Sequence, residues 1–140
     1  MNIESIKRVV ESQSTMITAL GIEFQSTPEP DTCCAVMPVN ERTCQPYGIL
    51  SGGASLAMAE TLAGVASQAL CPDMMCMGIN VTGQHVKAVK KGHSVKGVAR
   101  LVHCGHTLHV WQVTVTDEKG DTVSNISVTN FIKSPKEEGK

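Results

Sequence analysis

The residues whose types could do chemistry gather in one stretch, GILSGGASLAMAETLAGVASQAL, residues 48–70. It reads as a helix that is apolar or small on nearly every side, with a single carboxylate, Glu60, in its middle. A buried carboxylate is costly unless it is paired or used. Its near neighbours Leu56, Ala59, Ala63 and Gly64 offer no partner, and no other charge occurs between 49 and 70. A solvated face would carry more charge than that, so Glu60 is expected to point at a site. Two turns earlier stand Ser51, Gly52, Gly53, Ala54 and Ser55. Small residues at a helix start admit another group close to the backbone. The free N–H groups of a first turn, backed by the helix dipole, favour negative charge, including the oxyanion of an attacked carbonyl. The same glycines also serve close helix packing, and the local sequence leaves both roles open.

Spacing adds a constraint. Glu60 lies eight residues past Gly52, roughly 12 Å along a helix. One carbonyl cannot touch both from the same chain. If the two act together, the N–H and the carboxylate come from different subunits, which predicts a homodimer with sites at its interface.

Other candidates carry two roles each. Gln45, in the loop before the helix, is either an exposed loop residue or an amide that donates to a carbonyl or orients a water. His85 ends a strand, where a lone histidine is structural more often than catalytic. His103, His106 and His109 share one hairpin, but HCGHTLH is not a known ligand spacing and Gly105 sets a turn within it, so no metal is expected. Lys87, Lys90, Lys91 and Lys96 form the basic cluster, with Arg100 beyond, and serve either phosphates or solubility. The six cysteines include one adjacent pair and no CxxC, so neither a disulfide framework nor a zinc site is indicated, and reduced packing thiols are expected.

Composition excludes several classes. The 140 residues suit one domain with a modest core, and 41% hydrophobic with 18% charged residues marks a soluble globular chain. A net charge of -1 and four aromatic residues give neither an electrostatic footprint nor a stacking platform for nucleic acid. No apolar run reaches membrane-spanning length. Glu4 and Lys7 interrupt the N-terminus, so no secretory signal is expected and the cytoplasm is the default.

These residues need elements to hold them. Ile3, Ile6, Val9, Val10, Met16, Ile17 and Leu20 recur at helical spacing, which predicts one amphipathic helix over 2–19 ending near Gly21. GIEFQST and CCAVMPVN read as short strands around the turn-rich PEPDT, and NERTCQPYG as a loop. Pro72 ends the long helix. Four period-two segments follow, MCMGINVTGQHV, HSVKGVARLVHCG, HTLHVWQVTVTDEKG and DTVSNISVTNFI, with DEKGD a tight hairpin turn and KAVKKG a charged connection. The expected architecture is α+β: an antiparallel meander wrapped around one buried helix, in a single domain over 1–140 with residues 134–140 a solvated tail.

QPYGILSGGASLAMAETLAG, INVTGQHV and LVHCGHTLHVWQVTVTDEKG, in this order, resemble the hotdog-fold acyl-CoA thioesterases of the PaaI-like group, and within it the bacterial enzymes acting on aromatic acyl-CoA. The resemblance covers roughly residues 15–132. It implies that Glu60 is the catalytic carboxylate, as nucleophile or as general base on water. It implies that the Gly52 N–H polarises the thioester carbonyl and that Gln45 lies beside it, with Ser51 and Gly53 at the helix start. Gly78, His85, Val86, Lys87 and Ala88, and His103, Cys104, Gly105, His106, Thr107 and Leu108, match segments lining the coenzyme A and acyl channel. It also favours phosphate binding by the lysine cluster and a dimer of dimers, a homotetramer. No cofactor is implied beyond coenzyme A as part of the substrate.

The chain departs from the pattern twice. Ser51 stands where the family usually has a histidine, and Gly64 where many relatives have a hydroxyl residue facing the carboxylate. The expected function is hydrolysis of an aromatic or medium-chain acyl-CoA to free acid and coenzyme A. The alternative, which Ser51 favours, is an acyl-CoA binding protein with little or no turnover. A dehydratase would need an acid–base histidine next to the glycines, and there is none.

Overall fold

The computed structural model describes residues 1–135; of the tail expected over 134–140, residues 136–140 lie outside the described residues. Two short helices, α1 (Glu4–Glu11) and α2 (Met16–Ala19), lead into β1 (Glu23–Gln25) and β2 (Thr32–Pro38). The long helix α3 (Gly52–Leu70) follows, then β3 (Met75–His85), β4 (Ser94–Cys104), β5 (Leu108–Thr116) and β6 (Thr122–Lys133). The sheet has six strands in the order β1-β2-β4-β5-β6-β3, every neighbouring pair antiparallel.

The N-terminal helix expected over 2–19 is two helices. Ser12, Gln13 and Ser14 break it, because Thr15 caps a new start: its hydroxyl accepts from Ile17 N–H while Thr18 Oγ1 accepts from the Thr15 N–H. Hydroxyl residues favour such caps over a helix interior. The second helix does end at Gly21, whose φ of 73° suits glycine.

The meander holds only for β4, β5 and β6. β3 pairs with β6, and β4 with β2 and β5, so the KAVKKG connection carries the chain across the sheet instead of joining neighbours. The period-two pattern identifies each strand but not its partner. The DEKGD hairpin forms as expected, with Gly120 at φ 86° and the Asp117 carboxylate accepting from Lys119 and Asp121 N–H.

α3 begins at Gly52 and not at Gly48, which sits in a turn at φ 79°. Ile49 and Leu50 make isolated bridges to Lys90 and Cys44. The helix buries one face, with Met58, Ala59, Leu62, Ala63 and Ala66 fully covered by the sheet. Burial of Met58 and Leu62 contributes about 1.5–3 kcal/mol each. The helix is not wrapped all round. Leu56, Ala57, Glu60, Thr61 and Gly64 remain half-exposed. Beside that uncovered face runs β3, the sheet's edge strand, which has no fully buried residue and leaves Met77, Ile79 and, just past its end, Val86 exposed.

Candidate active site

The start of α3 is set by Ser51, the N-cap, whose hydroxyl accepts from Gly53 N–H at 3.2 Å. The Ser51 carbonyl accepts from Ala54 and Ser55 N–H. Gly52 is different: within the first turn its N–H alone has no partner among the described residues. An unpartnered N–H at the positive end of a nineteen-residue helix is a donor awaiting an acceptor.

His85 packs against the same residue, Gly52. A Cβ on residue 52 would come within 2.6 Å of both His85 Cδ2 and Nε2, so only glycine fits beneath the ring. Ser124, buried on β6 and paired with His85 in the ladder, fixes the ring through a 2.7 Å contact between Oγ and Nδ1. Ser124 is not singled out in the sequence. Its partnership with His85 depends on the β3–β6 pairing, which no local pattern reveals.

Glu60 lies two turns along α3 and leans on β3. A Cβ on Gly78 would clash with its carboxylate, with Cδ and Cγ each 2.9 Å away. The carboxylate makes no hydrogen bond or ion pair among the described residues. The helix thus meets the edge strand twice, with Gly52 under His85 and Glu60 over Gly78. Within the chain Gly52 and Glu60 belong to two separate contacts.

Gln45 holds its loop together. Its side-chain Oε1 accepts from Tyr47 N–H at 2.6 Å, and this leaves the amide NH₂ available to another acceptor. Gly64 faces open space, with nothing within 4 Å of an added Cβ. Gly53 and Val86 are exposed.

The second segment behaves differently. Gly105 N–H bonds to the Leu108 carbonyl, closing the β4–β5 turn, and Ile132 N–H bonds to the Thr107 carbonyl. His103 and His106 are exposed, whereas His109 is buried. The three histidines therefore do not converge, and no metal-holding group of His, Cys, Asp or Glu occurs among the described residues. His109 instead joins Trp111 and Asn130 around Ser67 of α3, a buried polar cluster that the sequence hides among ordinary strand residues.

Lys87 is already engaged. Its ammonium donates to Asp117 Oδ2 and Asp121 Oδ2, both at 2.6 Å. The hydrogen bond from Lys87 is the main reason the Asp117 carboxyl sits below its ordinary range. Lys91 lies 4.0 Å from Glu41, while Lys90 and Lys96 make no ion pair among the described residues. Lys87, Ala88, Lys90, His93 and Lys119 line a cavity of about 260 Å³ together with Asp117 and Glu118.

Similarity to known proteins agrees with this geometry. Residues 47–124 match the family model described as the thioesterase superfamily. The chain is 36% identical to the 1,4-dihydroxy-2-naphthoyl-CoA hydrolase of Escherichia coli over 86% of this chain and 88% of that protein. It is 37% identical to the proofreading thioesterase EntH of Cronobacter turicensis over 86% and 85%. A crystal structure of a Pseudomonas aeruginosa thioesterase variant superposes with a TM-score of 0.85 at 32% identity, covering 95% of this chain and 94% of that one. The PaaI protein of E. coli, at 16% identity and a TM-score of 0.81 over 92% and 91%, shares the fold. The chain belongs to the thioesterase superfamily, and is a hotdog-fold thioester hydrolase.

Proposed function

We propose that the protein hydrolyses an aromatic or medium-chain acyl-CoA to the free acid and coenzyme A in the cytoplasm, without metal or cofactor. The observation that carries this reading is the unpartnered Gly52 N–H at the start of α3. A thioester carbonyl placed there accepts from that N–H, and the donor strengthens as the oxygen gains charge on attack. The Gln45 NH₂, left available by the Tyr47 contact, is the second donor assigned to the thioester. Glu60 supplies the attacking power, either by taking a proton from water as that water adds to the carbonyl carbon, or by adding to the carbon itself. Collapse of the tetrahedral adduct breaks the C–S bond and releases coenzyme A as thiolate, which takes up a proton; on the second route water then hydrolyses the anhydride left on Glu60, giving the free acid and the Glu60 carboxylate.

The roughly 12 Å of helix between Gly52 and Glu60 supports a dimer in which each site takes its N–H from one chain and its carboxylate from the other. The half-exposed strip of α3 and the exposed edge strand β3 are the surfaces such a pairing would cover. Two dimers back to back would make the tetramer. With Lys87 clamped by two aspartates, Lys90 and Lys96 are the cations of the cluster left for coenzyme A phosphates.

The test is coenzyme A release from a panel of aromatic and medium-chain acyl-CoAs by wild type and Glu60→Ala. Loss of at least about a hundredfold in kcat is expected. Equal rates would remove Glu60 from the mechanism. Tight binding of acyl-CoA by wild type with no release would favour a binding protein.

A further inference from the structure

Away from the glycines and Glu60, a second reactive cluster lies where α3 ends. Cys71 is the C-cap of α3, and Cys104 closes β4 and pairs in register with His109 of β5. His109 Nε2 is 3.5 Å from Cys104 Sγ and 3.8 Å from Cys71 Sγ. On its other side, Nδ1 is 2.9 Å from Ser67 Oγ.

The Ser67 hydroxyl fixes the proton on this imidazole. Ser67 Oγ accepts from Trp111 Nε1–H and from Asn130 Nδ2–H, each at 2.9 Å. Those two bonds fill its lone pairs, so its own proton goes to His109 Nδ1. An imidazole that accepts at Nδ1 while neutral carries its proton on Nε2. Burial, and next the nearby His103, hold the His109 pKa below its ordinary value, which keeps the ring neutral. The Nε2–H therefore faces both sulfurs.

A hydrogen-bond donor beside a thiol favours the thiolate, the reactive form. Cys104 is exposed and so open to small oxidants, whereas Cys71 is half-buried and its thiol is pushed up, by burial first and by Cys104 second. Of the other thiols, Cys44 is half-buried and lies in the loop before α3, away from this cluster. Cys33 and Cys34 are buried, and burial raises Cys33 and Cys76 to about 11.

We propose that Cys104 and Cys71 form a peroxide-sensitive dithiol, with His109 Nε2–H directed at both sulfurs. The Cys104 sulfur attacks hydrogen peroxide, breaking the O–O bond; the sulfur becomes sulfenic acid and the displaced hydroxide takes up a proton as water. The Cys71 sulfur then attacks the sulfenic sulfur and displaces the second oxygen as water. Two thiols and one peroxide give one disulfide and two waters. Both sulfurs lie against the same nitrogen, at 3.5 and 3.8 Å, which brings the two side chains to one place. The product ties the end of α3 to the β4–β5 hairpin.

The proposal is tested on the reduced full chain titrated with hydrogen peroxide, alkylated in denaturant and mapped by mass spectrometry. Two of the six thiols are expected to disappear together, in a peptide pair joining Cys71 to Cys104 with the loss of two hydrogens. Cys104→Ser should abolish that pair and slow the first thiol loss about tenfold. Cys71→Ser should leave a Cys104 sulfenic acid that dimedone traps. Both variants alter side chains outside the core, and circular dichroism checks their fold. Thiol loss spread over all six cysteines, oxidation of Cys104 with Cys71 left free, a Cys71–Cys76 bond or a bond between two chains would each overturn it.

Discussion

The Glu60 carboxylate rests on Gly78, and no side chain larger than hydrogen fits between them. The edge strand thereby sets where the carboxylate points. Gly78→Ala should displace Glu60 while leaving the fold intact, because the obstructed atoms belong to a flexible side chain and residue 78 is exposed. A displacement of about 1 Å at a reacting group costs on the order of a hundredfold in rate. Steady-state kinetics should show kcat falling by that order with an unchanged circular dichroism spectrum. Retention of full activity would mean that Glu60 acts from some other position.

Ser51 caps α3 through its hydroxyl. Ser51→Ala should therefore cost about 1 kcal/mol, read as a shift in the urea midpoint without a change in slope. It also frees the Gly53 N–H, giving the helix start a second unpartnered donor. An unchanged midpoint would show that the cap contributes nothing.

Ser67 serves Trp111, Asn130 and His109 at once. Ser67→Ala orphans buried polar groups at about 1–3 kcal/mol each, so a loss of about 3 kcal/mol or more is expected in denaturant unfolding. A cost under about 1 kcal/mol would mean that the cluster re-pairs without it.

The same cluster predicts a pH dependence. The folded chain holds the His109 pKa below its ordinary value, so near and below about pH 6.5 the unfolded chain binds more protons. Stability then falls as pH drops from about 6.5 toward the lowered folded value, and the contribution is fully present only above about pH 6.5. Tm measured across this range should fall more steeply for wild type than for His109→Gln, and parallel slopes would assign the loss to another group.

Lys87 between Asp117 and Asp121 gives a signature at the surface. Asp117 is lowered and Lys87 raised, each first by its hydrogen bond to the other. The clamp therefore contributes between the ordinary carboxylate and lysine values, and is lost as pH falls through the lowered Asp117 value or rises through the raised Lys87 value. The small Tm advantage of wild type over Lys87→Met should vanish in acid and shrink in high salt. A salt-independent gap would point to packing of the lysine stem.

Much of this was legible in the sequence because it is local. The strands follow from alternation, the stop of α3 from Pro72, and the turn from Asp117 to Asp121. Glu60 stood out as the sole charge in its helix. What escaped depends on partners distant in the chain. Alternation marks β3 as a strand but cannot say that it lies beside β6, and without that pairing Ser124 has no link to His85. Asp117 and Asp121 look like turn residues until the fold brings Lys87 to them. The break at Ser12–Ser14 was hidden by apolar residues that keep helical spacing across it.

The placement of β3 beside β6 has a consequence for biosynthesis. The chain emerges from the ribosome with α3 and β3 ahead of β4 and β5, yet the strand that seats β3 is made after all of them. Until β6 is out, the apolar helix lacks part of its cover and β3 has no neighbour to register against. The site therefore assembles only once β6 has been made, and a nascent chain stalled before residue 122 carries Glu60 and Gly52 without the frame that makes them useful.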